Sequence, residues 1–159
     1  MKTDWKKDRV GSAERGENPL VLTRMDSAYG SNWAVIGDTQ FLPGYCVLNC
    51  GTPKTDHLSD LPLPARTQFL ADMSLLGEAI MRACQPLRVN YSIYGNADHF
   101  LHVHIIPRYD WEDAARVRMP VWLYPPEWWS RPGLDYSDNQ HGELRAGIKA
   151  ALLDLMAAR

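Results

Sequence analysis

A chain of 159 residues is long enough for one domain with a hydrophobic core and too short for two domains of ordinary size. Apolar residues make up 45% and charged residues 23%, values that argue against the disordered, fibrous and membrane classes. The net charge of −2 argues against a broad nucleic-acid-binding surface and leaves room for a small anionic ligand. No apolar run approaches the roughly 20 residues of a membrane-spanning helix, and residues 1–18 contain no secretory signal, so we expect a cytoplasmic protein.

The chain has an odd number of cysteines and no C-x-x-C pair; the three are Cys46, Cys50 and Cys84. A disulfide framework and a thiolate zinc site both require a different pattern. We therefore expect reduced, partly buried thiols.

The first half of the chain contains a charged segment, a hairpin and a long helix. Residues 1–18 are charged and lack apolar periodicity, which predicts a mobile tail or arm. The runs WAVIGD (33–38) and YCVLNC (45–50) flank the turn-prone TQFLPG and predict an antiparallel hairpin. In residues 64–84, apolar side chains recur at steps of three and four, which predicts an amphipathic helix with one buried stripe.

The second half predicts two strands, a loop and a helix. RVNYSIYG (88–95) and HFLHVHIIPRY (99–109) are typical of strands joined by a short turn. Residues 111–140 hold four prolines and four tryptophans and predict an extended, ordered loop, which either patches the edge of the core or acts as a lid or dimer arm. Residues 142–158 predict a closing amphipathic helix.

The stretch HFLHVHIIPR (99–108) places two histidines one residue apart in an otherwise apolar strand. Because side chains alternate along a strand, His102 and His104 share one face, while Leu101, Val103 and Ile105 lie on the other, core-facing side. Burying an imidazole without a partner costs about 1–3 kcal/mol, so the pair predicts a function. The spacing alone leaves a metal site, an anion site and a histidine nucleophile or general base open.

The neighbouring residues resemble the histidine triad family of nucleotide hydrolases and transferases, in particular bacterial diadenosine polyphosphate hydrolases. The motif of that family is His-φ-His-φ-His-φ-φ, where φ is apolar, and residues 100–106 read FLHVHII, matching its second and third histidines. The resemblance covers about residues 20–110. Further positions that match in order and spacing are Asp38, Pro43, Gly44, Pro53, Lys54, Asn90, Tyr91, Gly95, Asn96, Pro107 and Arg108.

Two positions depart from the family pattern. Phe100 replaces the first histidine of the motif, and His99 is expected on the core side of the strand, where it does not stand in for that residue. Tyr45 replaces a further histidine that follows the Pro-Gly of the hairpin. Both changes put an aromatic ring in place of an imidazole, so the rate or the substrate preference is expected to differ from that of the family.

The resemblance implies a role for each matching residue. His102 would attack the α-phosphorus of a nucleotide and form a covalent nucleotidyl intermediate, and His104 would bind and polarise a phosphate oxygen. Asp38 would accept hydrogen bonds from the ribose hydroxyls, and Asn96 would donate to phosphate. The remaining residues expected in the nucleotide-binding site are Asn90, Ile36, Val47, Tyr45, Phe100 and Arg108, with Ile36 and Val47 packing on the base.

An α+β fold of the histidine triad type is expected, with an antiparallel sheet of about five strands and the long helix on one face. We expect a tail over residues 1–18, a core over 19–110, and an extension over 111–159 packed on the same domain. The resemblance further implies a homodimer and a dinucleoside polyphosphate substrate such as diadenosine tetraphosphate. It implies no required metal, although magnesium is expected to accompany a polyphosphate.

Two other functions are compatible with the sequence. A nucleotide-binding protein of the same fold would have lost efficient catalysis through Phe100 and Tyr45, although retention of His102 argues against it. A metal-binding sheet protein would use His102 and His104 with His57 as a third ligand.

Overall fold

The computed structural model describes residues 4–159. Its strands are β1 (Val21–Ser27), β2 (Gly30–Ile36), β3 (Cys46–Cys50), β4 (Arg88–Ser92) and β5 (His102–Arg108). Its α-helices are α1 (Arg9–Glu14), α2 (Leu63–Cys84), α3 (Pro126–Trp129) and α4 (Asp138–Ala157), and single 3₁₀ turns span Trp5–Lys7, Leu58–Asp60 and Val121–Leu123.

The five strands form one antiparallel sheet in the order β1-β2-β3-β5-β4. The predicted hairpin is confirmed, because β2 and β3 pair directly across the TQFLPG segment. Strand β1, which precedes this hairpin, was not among the predicted strands. The observed sheet and its helices confirm the predicted α+β class with five antiparallel strands.

Helices α2 and α4 pack against each other and cover one face of the sheet. The buried stripe predicted for residues 64–84 is confirmed, since Phe69, Leu76 and Ile80 are fully buried on α2. Helix α4 contributes Ile148 and Leu152 to the same core. None of the helices within residues 4–159 is both long enough and apolar enough to cross a membrane.

The opposite face of the sheet is partly covered by the segment after β5. The loop predicted for residues 111–140 contains α3, a 3₁₀ turn and the start of α4. Its side chains form a second apolar cluster with residues that follow β2 and residues in or just after β5. The members of this cluster are Phe41, Leu42, Tyr45, Ile106, Tyr109, Val121 and Tyr124.

The described part of residues 1–18, for which a mobile tail or arm is predicted, contains a short helix, whereas residues 1–3 lie outside the described range. Asp8 caps α1 by accepting a hydrogen bond from the Gly11 N–H, and Ser12 and Ala13 of this helix are buried. The charged composition of this segment does not reveal the helix, because burial of only two small side chains is enough to pack a short helix against a neighbouring surface.

The two strands around the predicted turn are shorter than expected. Strand β4 ends at Ser92 and β5 begins only at His102, so residues 93–101 form a longer loop. His99 lies exposed in this loop, and the prediction that it faces the core is wrong.

Candidate functional site

His102 and His104 lie on the sheet face opposite the helices α2 and α4. Leu101, Val103 and Ile105 alternate with them and are at most 1% exposed in the helix-covered core, which confirms the predicted alternation. His102 is buried and His104 is half-buried, with 4.9 Å between their ring centroids. Both imidazoles therefore share one small, weakly hydrated region.

The His102 ring is oriented by the backbone of Phe100. His102 Nδ1 lies 2.7 Å from the Phe100 carbonyl oxygen. Since a carbonyl oxygen only accepts, Nδ1 carries the proton and donates it. The other nitrogen, Nε2, then presents a free lone pair, which is the form of histidine that acts as a nucleophile.

His104 has a side-chain partner, Tyr45, whose hydroxyl lies 2.7 Å from His104 Nδ1. Burial, followed by the nearby His102 and Arg9 charges, lowers the pKa of His104 to about 4, against a smaller opposing effect of Asp38. Burial likewise raises the pKa of the Tyr45 phenol, which therefore keeps its proton. With the phenol donating to Nδ1, the second nitrogen of a neutral His104 carries a hydrogen that is free to donate to a ligand.

The Tyr45 ring requires a glycine beside it. A Cβ atom on Gly37 would collide with the Tyr45 ring carbons, so any larger residue would displace the phenol from His104. The Gly37 N–H also donates to the Tyr45 carbonyl at 2.8 Å, which continues the strand pairing beyond β2 and β3.

Two tryptophans of the extension cover His104. The Trp122 ring meets His104 edge to face at a centroid distance of 4.8 Å and stacks on Trp129 at the same distance. Trp129 in turn contacts the edge of Tyr45. Of the two roles considered for residues 111–140, these contacts support a cover over the site of the same chain.

A cavity of about 140 Å³ opens between these residues and the N-terminal segment. Pockets that hold whole small molecules are usually about 300–1,000 Å³, so this cavity admits only part of a nucleotide. Seven of the ten predicted site residues line it, namely Ile36, Asp38, Tyr45, Val47, Phe100, His102 and His104. The others along its wall are Arg9, Val35, Gly37, Asn49 and Asp98.

Asp38, the residue expected to bind ribose, is held by the N-terminal segment. Arg9 Nη2 lies 3.3 Å and Lys6 Nζ 4.0 Å from Asp38 Oδ2. The Asp38 side chain is 38% exposed, and ion pairs with that exposure contribute about 0–1 kcal/mol. The ion pair between Arg9 and Asp38 is therefore weak enough for a competing partner of Asp38 to break it at little cost.

Ile36 reaches the cavity wall, but its side chain is not on the site face. It pairs across the sheet with Cys46, which pairs with Ile105, and this row belongs to the fully buried helix-side core. The packing of Ile36 on a base stays a prediction, which the helix-side position of its side chain does not favour. Val35 alternates with Ile36 and pairs with Val47 on the site face, so Val35 occupies the expected position.

Arg108 does not reach the cavity, which corrects the expectation that it binds nucleotide. It is 2% exposed, and its guanidinium donates to both carboxylate oxygens of Glu112 at 2.9 to 3.2 Å. It also donates to Asn90 Oδ1 and to the carbonyl oxygens of Arg116 and Met119. Arg108 thus ties the extension to the sheet and has no donor left for a phosphate.

Two predicted asparagines also lie outside the cavity. Asn90 accepts a hydrogen bond from Arg108, as described above, and Asn96 is exposed in the loop between β4 and β5. Neither side chain lines the histidine cavity, so a nucleotide-binding role for the two asparagines stays a prediction.

The most informative residue missed from the sequence is Asn49. It is 1% exposed and pairs with His102 across β3 and β5. The signal in the sequence is a polar amide within the apolar run YCVLNC, at a position that alternation along β3 places on the same face as His102. Arg9 and Asp98 come from a helix and a loop whose positions no local pattern reveals.

A metal site using His57 finds no support. His57 is exposed at the start of the 3₁₀ turn Leu58–Asp60, where its backbone N–H donates to Asp60. Within residues 4–159, no group of three or more histidine, cysteine, aspartate or glutamate side chains is arranged to hold a metal ion.

Comparison with solved structures identifies the fold. No family model and no curated protein matches the sequence. The structure is similar to a histidine triad protein from Sinorhizobium meliloti (TM-score 0.67, 16% identity, covering 87% of this chain and 93% of that one). It is also similar to a histidine triad protein from Marinobacter aquaeolei (TM-score 0.64, 23% identity, covering 82% of this chain and 87% of that one). A third similar structure is the Plasmodium falciparum diadenosine triphosphate hydrolase (TM-score 0.52, 17% identity, covering 85% of this chain and 77% of that one). The resemblance to the histidine triad family is thus confirmed at the level of the fold.

Proposed function

We propose that this protein is a nucleotide hydrolase that cleaves at the α-phosphate of dinucleoside polyphosphates or related nucleotide conjugates, with His102 as the nucleophile. The observation that carries this proposal is the 2.7 Å hydrogen bond from His102 Nδ1 to the Phe100 carbonyl, which in the neutral imidazole places the free lone pair on Nε2. A carbonyl partner also stabilises the positive charge that the ring acquires when Nε2 bonds to phosphorus.

The reaction proceeds in two displacements. The Nε2 lone pair forms a bond to the α-phosphorus as the bond to the bridging oxygen breaks, and the leaving phosphate takes that electron pair. Water then attacks the phosphorus of the nucleotidyl-histidine, and the P–N electron pair returns to Nε2. The products are a nucleoside monophosphate, the leaving group and one proton released to solvent.

The remaining residues of the cavity bind the substrate. His104, neutral and held by Tyr45, donates to a non-bridging phosphate oxygen as charge develops on it. Asp38 accepts from the ribose hydroxyls once Arg9 has moved away, and the freed guanidinium is then available to the phosphates. Val47 and Val35 supply the apolar wall for the base.

A dinucleoside polyphosphate such as diadenosine tetraphosphate is our leading candidate substrate, and we place the reaction in the cytoplasm. The similarity in fold to a diadenosine triphosphate hydrolase supports the substrate class. The covalent step requires no metal ion, while Mg²⁺ would accompany the polyphosphate rather than the protein.

The chain is further proposed to form a homodimer through β4. This strand lies at the edge of the sheet and leaves one row of backbone groups unpaired. Exposed apolar side chains lie along or beside it, among them Leu87, Tyr91 and Tyr94. A second copy of the same edge would cover both features with two-fold symmetry.

The proposed nucleophile is tested by comparing wild type with His102→Ala on diadenosine tetraphosphate and following AMP release. We expect the variant to lose activity by about 10³-fold or more, as removal of a covalent nucleophile does in other enzymes. His99→Ala is the matched control, because His99 is exposed outside the cavity, and its activity should remain at the wild-type level.

The other outcomes of this assay decide against the proposal. Equal turnover by wild type and His102→Ala would identify a different nucleophile. No turnover by either protein, combined with AMP binding to both, would show a nucleotide-binding protein that has lost catalysis.

A further inference from the structure

Asn49 is a buried polar side chain that the proposed reaction does not use. It is 1% exposed near the end of β3, and neither its Nδ2 nor its Oδ1 has a hydrogen-bond partner among residues 4–159. An unpaired buried polar group costs about 1–3 kcal/mol, and such groups are rare in folded proteins. Leucine would fill the same space without this cost, so the amide is retained for something other than packing.

The strand register aims Asn49 at the nucleophile. Asn49 pairs with His102 across β3 and β5, and both side chains line the same cavity. Directly opposed residues of an antiparallel pair have Cβ atoms about 4.5–5.5 Å apart on one face of the sheet. The amide therefore lies within hydrogen-bonding reach of a ligand attached to His102.

The same row contains a second unpaired donor. Trp33 pairs with Asn49 from the other side, and its buried Nε1–H also has no hydrogen-bond partner among the described residues. Trp33, Asn49 and His102 thus form a ladder across β2, β3 and β5. In this ladder Trp33 offers a hydrogen-bond donor, Asn49 offers a donor and an acceptor, and His102 offers the nucleophile.

The chemistry of this ladder discriminates among parts of a nucleotide. A phosphate group offers acceptors only, so it would satisfy Asn49 Nδ2 and leave Oδ1 unpaired. A nucleobase edge presents a donor next to an acceptor, which matches both atoms of an asparagine amide. The ribose hydroxyls are already assigned to Asp38 in the proposed function.

We propose that Asn49 reads the hydrogen-bonding edge of the base in the nucleotide that His102 attacks. This inference rests on the proposed function for the identity of the ligand. Asn49 would then select the base by hydrogen bonding, while Val35 and Val47 supply apolar contacts in the same cavity.

The test measures binding by titration calorimetry for two ligands that share ribose and phosphate, AMP and ribose 5-phosphate. Asn49→Leu should weaken AMP binding by about tenfold to hundredfold, the range for a paired amide–base contact, and leave ribose 5-phosphate binding unchanged. Its melting temperature should not fall, because no protein hydrogen bond is lost. Asn139→Leu, at an exposed asparagine of α4, should bind both ligands like wild type.

Three results would overturn the inference. Equal losses for AMP and ribose 5-phosphate would assign Asn49 to the phosphate, unchanged AMP binding would remove it from the site, and a lowered melting temperature with unchanged affinities would make it structural. If Asn49→Leu does not fold, Asn49→Ser is measured in its place with the same expectations. Failure of the proposed hydrolysis would appear in AMP release from diadenosine tetraphosphate, a measurement separate from these affinities.

Discussion

Acidification should destabilise the protein through His104 by an amount that can be worked out from its environment. Burial, with the His102 and Arg9 charges, lowers the pKa of His104 from 6.5 to about 4 in the folded state. Between these values the unfolded chain binds a proton that the folded chain does not, so stability rises with pH across this window. Each pH unit of the window is worth about 1.36 kcal/mol, which gives about 3 kcal/mol between pH 6.5 and pH 4.

The assay is urea unfolding from pH 7 to pH 4 for wild type and His104→Gln. Groups that do not interact with His104 affect both proteins equally, so the difference between the two curves reports His104 together with the charges coupled to it. We expect the wild-type free energy of unfolding to fall by about 3 kcal/mol more than that of the variant, with most of the loss complete by pH 4. Parallel curves, or a His104 imidazole NMR signal that titrates near 6.5, would refute the reasoning that His104 is neutral in the site.

Two further predictions concern the extension and the sheet edge. Glu112→Gln should cost about 3–5 kcal/mol in urea unfolding, because it leaves the buried Arg108 charge unpaired, whereas Glu78→Gln, at the exposed pair with Arg82, should cost at most about 1 kcal/mol. A loss below about 1 kcal/mol for Glu112→Gln would contradict this account of the network. Light scattering should give twice the 18.1 kDa chain mass for wild type and the chain mass for Leu87→Glu; a wild-type monomer at all concentrations would exclude the dimer.

The regular parts of the fold follow from periodicity in the sequence. The three- and four-residue steps of residues 64–84 predict α2 to within one residue, because a helix with one buried stripe has no other way to pack. The period of two in HFLHVHIIPR identifies the core face of β5 for the same reason. Helix α1 escapes prediction, since Ser12 and Ala13 are buried by a tertiary contact that leaves no local pattern.

The site is predictable only where its residues belong to a strand or a motif. His102 and His104 lie in one continuous pattern, whereas Arg9 joins them through an ion pair with Asp38 that spans 29 residues. For Arg108 the sequence predicts a place in the nucleotide-binding site, because a charge at the end of a strand is usually accessible to a ligand. In the structure it is 2% exposed. Its partner Glu112 follows only four residues later, but the buried pairing depends on how the extension folds back over the sheet.

The residues at the two substituted positions, Phe100 and Tyr45, supply the hydrogen bonds that orient the two remaining histidines. Phe100 replaces an imidazole, yet it orients His102 through a backbone carbonyl that every residue possesses. Tyr45 replaces the other imidazole, and its hydroxyl supplies a hydrogen bond to His104 Nδ1 at 2.7 Å. Both hydrogen bonds needed to set the tautomers of His102 and His104 are therefore present. What the substitutions remove is titration, because neither a carbonyl nor a buried phenol changes charge near neutral pH.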